Sequence, residues 1–317
     1  MKQFSIGVDI GGTSVKLGLV SPRGTVVFRR HFLTHQMPSR TGFLNVLTSH
    51  VQGIIKEARK KGLAVGGVGI GAPGPVDVAR GFVYFFPNIP GWNNTPLRAL
   101  LENKLKLPVQ VDNDANAMTL GEFRFGAGKG VTDLIALTLG TGIGGGLVIA
   151  GKLFHGPRFS AAEIGHLVIN ENGPLCSCGN HGCVETYVGS GHFVEEVRRR
   201  LKNGEKSILS GWAKRDKSGI TPLGVAQAAK QGDRFSKRVW REAGEHLGTA
   251  LVGLVNILNP QKIILGGGLA QNGEILFKPV VQTIMKKAFP IAARSVKVVP
   301  AKLGVDAGLI GAASLIN

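Results

Sequence analysis

The sequence predicts an α/β chain built from two copies of one mixed-sheet domain around a cleft. Three observations predict it. Over the first third of the chain, apolar runs broken by glycine turns alternate with segments of helical periodicity, in the order βββ-α-β-α-β. The strand, glycine turn and strand of Ile6–Val20 recur at Ile135–Ile149, an offset of 129 residues that pairs Val8 with Leu137, Ile10 with Leu139, Gly11 with Gly140 and Leu19 with Val148. Glycine supplies 47 of 317 residues, about twice its ordinary share, so many positions need a sharp turn or a close approach of the backbone. Duplicated domains of this kind tend to bind ligands in the cleft that separates the copies.

Each element has a local reason. Ser5–Ile10 and Val15–Val20 read as strands joined by Gly11-Gly12-Thr13, and Thr25–Leu33 extends the meander. From Phe43 to Arg59, Phe43, Leu47, Val51, Ile54 and Ala58 recur at three- and four-residue steps and define a helix face. Val65–Ile70 is a strand closed by Gly71-Ala72-Pro73-Gly74-Pro75. Thr95-Pro96 opens a short helix with proline in its first turn, and Pro108–Val111 is the next strand. After the repeated hairpin come a long helix at Phe235–Leu258, strand Ile263–Leu265 and the turn Gly266-Gly267-Gly268. Helix Ile275–Ala288, strand Val296–Val299 and a closing helix Ala307–Ile316 complete the chain. The expected domains are 1–114, with 302–317 packing back on it, and 115–301.

Several classes drop out early. No run of 18 apolar residues exists, so no membrane span is expected, and the N-terminus lacks the unbroken apolar core of a secretory signal. Three clustered cysteines make no disulfide framework; they suit a reducing, cytoplasmic setting and a metal. The charge is lopsided: 38 Lys and Arg against 20 Asp and Glu give +18, and thirteen basic against five acidic residues lie between Glu195 and Arg241. Such a surface attracts anions, although much of that stretch reads as a solvated helix face.

Two glycine patterns imitate a dinucleotide fingerprint and fail it. Gly140-x-Gly142-x-x-Gly145 leads into an apolar strand, and Gly67-x-Gly69-x-x-Ala72 runs into Pro73-Gly74-Pro75, where a helix is required. A tight glycine turn nonetheless presents successive N–H groups to an anion. Two such hairpins, one flanked by Asp9 and Lys16, would clamp a polyphosphate.

His166-x9-Cys176-x-Cys178-x4-Cys183 offers one imidazole and three thiolates, a closed set that suits structural zinc. His181 is a rival ligand, but so close to Cys183 it would strain the loop. Glu163 and Glu185 flank this segment, so zinc would fix the two ends of a stretch that carries acids. Asp112-Asn113-Asp114 follows a strand and opens a helix; either carboxylate is a candidate N-cap or general base.

Asp9-Ile10-Gly11-Gly12-Thr13, the run Leu139 to Gly146 and Gly266-Gly267-Gly268 together resemble the phosphate and adenosine motifs of the actin-like ATPase superfamily, whose fold is ribonuclease H-like. Within it the chain resembles the ROK sugar kinases, bacterial glucokinases most of all, over essentially its whole length. The resemblance implies that Gly11, Gly12, Thr13, Gly140, Thr141 and Gly142 hold the phosphates with Lys16 nearby, that Asp9 positions Mg²⁺ through water, and that the Gly266–Gly268 turn approaches adenosine. It implies Asp114 as the base and His166 as the zinc ligand, with the second ring nitrogen of His166 directed to sugar. Asn88, Asn113, Glu163, Glu185 and the Gly71 to Gly74 turn would complete the sugar pocket. The implied reaction is phosphorylation of a hexose at its 6-hydroxyl by ATP, most naturally glucose, in a homodimer. Mannose, fructose, an N-acetylhexosamine or a polyphosphate donor are variants. A sugar-sensing repressor would carry a helix-turn-helix ahead of the strand at Ser5, where none is expected, so no specific nucleic acid partner is foreseen. A protein-binding actin-like ATPase fits the cysteine segment and the Asn113-Asp114 pair less well.

Overall fold

The computed structural model describes residues 3–34, 37–86, 88–215 and 220–316. The meander is β1 (Phe4–Ile10), β2 (Ser14–Val20) and β3 (Val26–Leu33), with Asp9 opposite Lys16 across the first antiparallel pair. Ser39 caps α1 (Arg40–Lys60) by accepting the N–H of Gly42, and the helix buries Phe43, Leu47, Val51 and Ile54 against Ile6, Val8 and Ile10 of β1. β4 (Val65–Ala72) lies parallel to β1. The next three strands form a small sheet that the sequence pattern does not announce: β5 (Val76–Asp77), β6 (Phe82–Phe85) and β7 (Asn93–Thr95), each too short to carry a periodic signal. Pro96 is the residue before α2 (Leu97–Leu105) rather than within its first turn, and β8 (Val109–Asn113) then runs directly into α3 (Asp114–Phe125).

The repeated hairpin is β9 (Leu134–Leu139) and β10 (Ile143–Ile149). Ala150 and Gly151, both at positive φ, turn the chain into the two-residue β11 (Lys152–Leu153). Beyond the cysteine segment the chain is mainly helical: α4 (Glu185–Val188), α5 (Ser190–Lys202), α6 (Leu209–Arg215), α7 (Pro222–Lys230) and the long α8 (Arg234–Leu258). The chain closes through β12 (Lys262–Gly266), α9 (Glu274–Lys287), α10 (Pro290–Ser295), β13 (Lys297–Pro300) and α11 (Ala307–Ala313). Among the described residues no helix is long and apolar enough to cross a membrane.

The two large sheets have the same plan. One is ordered β3-β2-β1-β4-β8 and the other β11-β10-β9-β12-β13, so each is a meander whose first strand starts a parallel run. The 129-residue repeat is therefore a repeat of whole sheets, with β11 a stub of the third strand.

Packing groups the chain into two units, Met1–Thr132 with Gly146–Ala162 and Ala301–Asn317, and Asp133–Gly145 with Glu163–Pro300. The first unit takes in α3, whereas the boundary expected from sequence falls after Asp114. The reason lies in α11. A Cβ on Gly69 of β4 would collide with the carbonyl of Ala312, and one on Gly311 with the carbonyl of Ala117 in α3. Glycine thus lets α11 lie directly on the sheet and lets α3 lie directly on α11. In the second unit α8 buries Phe235, Val239, Trp240, Leu247 and Leu251 at helical spacing and packs on α9.

Candidate active site and metal centre

In the first unit the functional side chains gather at the carboxyl ends of the strands, where open α/β sheets bind ligands. Gly11 closes the β1–β2 turn by donating its N–H to the Ser14 carbonyl at 3.0 Å. The turn is held from outside, since Asn88 donates through Nδ2 to the Gly12 carbonyl at 2.8 Å and Thr34 through Oγ1 to that of Gly11 at 3.0 Å. Thr13 and Gly12 are exposed at its tip. Asp9 lies beneath, where burial pushes its carboxyl up and the charge of Lys16 opposes the shift. Such an acid ionises more readily beside a cation. Lys16 itself donates through Nζ to the Val305 carbonyl at 3.3 Å.

At the end of β8 the roles within Asp112-Asn113-Asp114 separate. Asn113, not Asp112, is the N-cap of α3: its Oδ1 accepts the N–H groups of Ala115 at 2.9 Å and Asn116 at 3.2 Å. Its Nδ2 donates to the Gly74 carbonyl at 3.3 Å, tying the cap to the turn after β4. Asp114 is then the first helical residue, half-buried, with Oδ1 accepting the N–H of Ala115 at 2.8 Å. Gly71 pairs with Asp112, and a Cβ on it would stand 3.0 Å from Ala117 Cβ, so glycine leaves room for the first turn of α3.

Two buried acids here have partners that no sequence pattern indicates. Asp112 is 1% exposed and accepts from His155 Nε2 at 2.7 Å. Glu122, with no exposed surface, accepts the N–H groups of Ala127, Lys302 and Leu303 at 2.8, 2.9 and 2.7 Å. It fastens α3 to the segment that leads into α11. No spacing rule joins residues so far apart in sequence.

In the second unit two glycine turns stand at the ends of the parallel strands β9 and β12. Gly140 donates to the Gly142 carbonyl at 2.9 Å and accepts from the N–H of Ser190, the first residue of α5, at 2.9 Å. Thr141 is exposed at the tip. Gly267, at φ 85°, follows Gly266 and packs so tightly on the Leu139 carbonyl that a Cβ would collide with it; Gly268 is exposed. Glu185 fills the space under Gly142 and accepts the Ile143 N–H through Oε2 at 2.7 Å. It therefore joins the β9–β10 hairpin to the cysteine segment. Glu163 is exposed just before the short turn Ile164–His166.

The ligand atoms of His166, Cys176, Cys178 and Cys183 lie within 4.8 Å of one another. His166 Nδ1 is 3.6 Å from Cys176 Sγ, and Cys178 Sγ is 3.6 Å from Cys183 Sγ. His181 points elsewhere, its Nδ1 at 3.0 Å from the Gly173 carbonyl, which leaves His166 as the fourth donor. Gly182, at φ 68°, admits no side chain because a Cβ would strike the Asn170 carbonyl. Two of the thiols are pushed in opposite directions: burial, then the neighbouring thiols, pushes Cys183 up to about 12, whereas a backbone hydrogen bond at Asn180 lowers Cys178. Three thiol sulfurs and one imidazole at this spacing fit zinc, which holds such ligands as thiolates.

The model of the ROK family matches residues 5–317. The chain belongs to the ROK family. Among ROK proteins it is 38% identical to the glucokinase of Thermotoga maritima over 317 residues, 98% of this chain and 96% of that one. It is also similar to a ROK family glucokinase from Streptomyces griseus solved in complex with glucose and AMPPNP, with 37% identity, a TM-score of 0.81 and 98% of each chain covered. ROK regulators share the same body: the xylose repressor of Caldicellulosiruptor bescii is 33% identical over 98% of this chain, which spans 77% of that protein. The ROK assignment gives the two matching sheets the actin-like ATPase fold, and the chain is a sugar kinase.

Proposed function

We propose that this chain transfers the γ-phosphoryl group of ATP to the 6-hydroxyl of glucose. The observation that carries the reading is similarity along nearly the whole chain to glucokinases, one of which holds glucose and AMPPNP. Asp114 takes the hydroxyl proton as the phosphoryl group arrives, and its place at the head of α3 keeps the carboxylate beside the cap that orients it. The sugar hydroxyls are bound by Asn88, Asn113, Glu163, His166, Glu185 and the Gly71–Gly74 turn. Discrimination arises because a sugar lacking a matching hydroxyl leaves one of these polar groups unpaired. The N–H groups of Gly11 to Thr13 and of Gly140 to Gly142, with Lys16, carry phosphate charge, and Gly266 to Gly268 take the nucleoside. Asp9 would position Mg²⁺, which would supply charge neutralisation on the phosphates. His166, Cys176, Cys178 and Cys183 would hold zinc, which would tie together the segment between Glu163 and Glu185 and take no part in the chemistry on the substrate.

Three thiols kept as metal ligands support a cytoplasmic, reducing setting. The exposed apolar side chains of Met285, Phe289 and Ile291 support a homodimer. The net charge of +18 favours one second reading, inorganic polyphosphate as an alternative donor. A coupled assay crossing glucose, mannose, fructose and N-acetylglucosamine with ATP and polyphosphate tests both. Turnover of glucose with ATP above every other pair is expected. No glucose 6-phosphate with ATP would overturn the proposal, and no product with polyphosphate would end the second reading.

A further inference from the structure

The Asp112–His155 pair lies outside every role assigned above, although Asp112 stands two residues before Asp114. We infer that His155 is a positioning residue for phosphoryl transfer, acting through Asp112 on the base Asp114. The inference rests on Asp114 being that base.

The geometry is a short chain of contacts within the first unit. Asp112 is buried and both its oxygens are engaged. Oδ1 accepts the N–H of Asn113 at 2.7 Å and Nδ2 of Asn116 at 3.0 Å; Oδ2 accepts from His155 Nε2 at 2.7 Å. The carboxylate therefore grips α3 from outside its first turn, at the peptide just before the cap and at a side chain one turn on. Its own plane is set by the third partner. Without His155, Oδ2 would be a buried acceptor with no donor, and the carboxylate would rotate or draw in water to find one. Either motion is passed to the Asn113 N–H, and so to the cap that presents Asp114. Misplacement of a reacting group by ~1 Å can cost ~10²-fold in rate.

His155 is itself held firmly. It lies just after β11, its carbonyl accepts the Ala161 N–H at 3.0 Å, and its ring meets the edge of Phe159 at 6.3 Å between centroids. The Asp112 hydrogen bond holds the imidazole above its ordinary pKa, against burial, which makes the contact an ion pair over a wider pH range. Arg124 and Lys152 are the other charged groups lining the same cavity of about 350 Å³. The ring retains 23% exposure, so a polar replacement is accommodated without an apolar void.

The test is steady-state kinetics of His155→Asn, too short to reach Oδ2, and His155→Gln, whose amide reaches the place of Nε2, with melting curves for both. His155→Asn should lower kcat ~10–100-fold while KM for glucose and ATP moves less than ~2-fold, and His155→Gln should recover most of that loss. Asp112→Asn should show the same split, and the double variant Asp112→Asn/His155→Asn should lose no more than the worse single one, because the two act as a unit. Normal kcat in His155→Asn, a loss confined to KM, equal losses in the Asn and Gln variants, or additive losses in the double variant would each overturn the inference. Asp114→Asn is run alongside. If it is inactive while His155→Asn is normal, only the His155 inference fails; if it keeps its kcat, the base assignment fails and the inference with it.

Discussion

Asp114 opens α3 one residue after its cap, where the helix N-terminus favours a carboxylate and the Asn113–Gly74 contact fixes the turn. Asp114→Asn should therefore lower kcat by at least ~10²–10⁴-fold and leave glucose affinity largely intact, as read by steady-state rates and calorimetric titration. Near-normal turnover in that variant would remove Asp114 from the chemistry. The sequence pattern Asp112-Asn113-Asp114 was legible as a strand-to-helix junction. The division of labour within it was not. Asn and Asp cap helices about equally well, so the choice of Asn113 depends on where β8 ends and the chain turns. The partners of the two buried acids were equally hidden, because Glu122 binds a segment 180 residues away and Asp112 binds His155, 43 residues away.

Among elements, the cysteine segment was the most legible, since metal ligands must be of a few residue types and close together. The structure decided between its two histidines: His181 turns to the Gly173 carbonyl and His166 joins the sulfurs. Because binding free energy of the ion is partly folding free energy, chelation should loosen this segment. Cys178→Ser should bind no zinc by elemental analysis and should melt at least ~5 °C lower, on a scale of ~2–4 °C per kcal/mol for a domain of this size. Full zinc occupancy in that variant would argue for a different ligand set. The glycine excess has a wider meaning than turns. Gly69 and Gly311 mark where α11 lies against β4 and α3, a packing use that no local pattern announces. Short elements were the ones missed: β5, β6 and β7 lack the length for alternation to show.

Over the whole molecule the charge of +18 is what remains after every acid is counted, and ion pairs decide only where the acids sit among the bases. Arg200 reaches Glu205 and Glu242 at 2.7 and 2.6 Å, and Arg199 reaches Glu196 at 2.8 Å, so the basic stretch around α5 and α8 is a paired helical surface in part. The exposed Arg199–Glu196 pair stabilises little, and its effect on the field is local. The remaining positive field should draw an anionic nucleotide toward the protein. Raising ionic strength from about 0.05 to 0.5 M shortens the screening length to a few ångströms, so KM for ATP should rise several-fold while kcat holds. A flat KM across that range would show that the surplus charge plays no part in nucleotide capture.

The sequence by itself determined the duplicated α/β plan, the glycine turns at the strand ends and the cysteine cluster that suits a metal. Each of these is written locally, in hydrophobic period, in turn chemistry or in the few side chains that bind a metal. Only the tertiary structure decided which residue caps α3, what holds Asp112 and Glu122, and why the last helix needs glycine beneath it. Those depend on groups brought together by folding across long stretches of chain, and no period in a sequence records a contact of that kind.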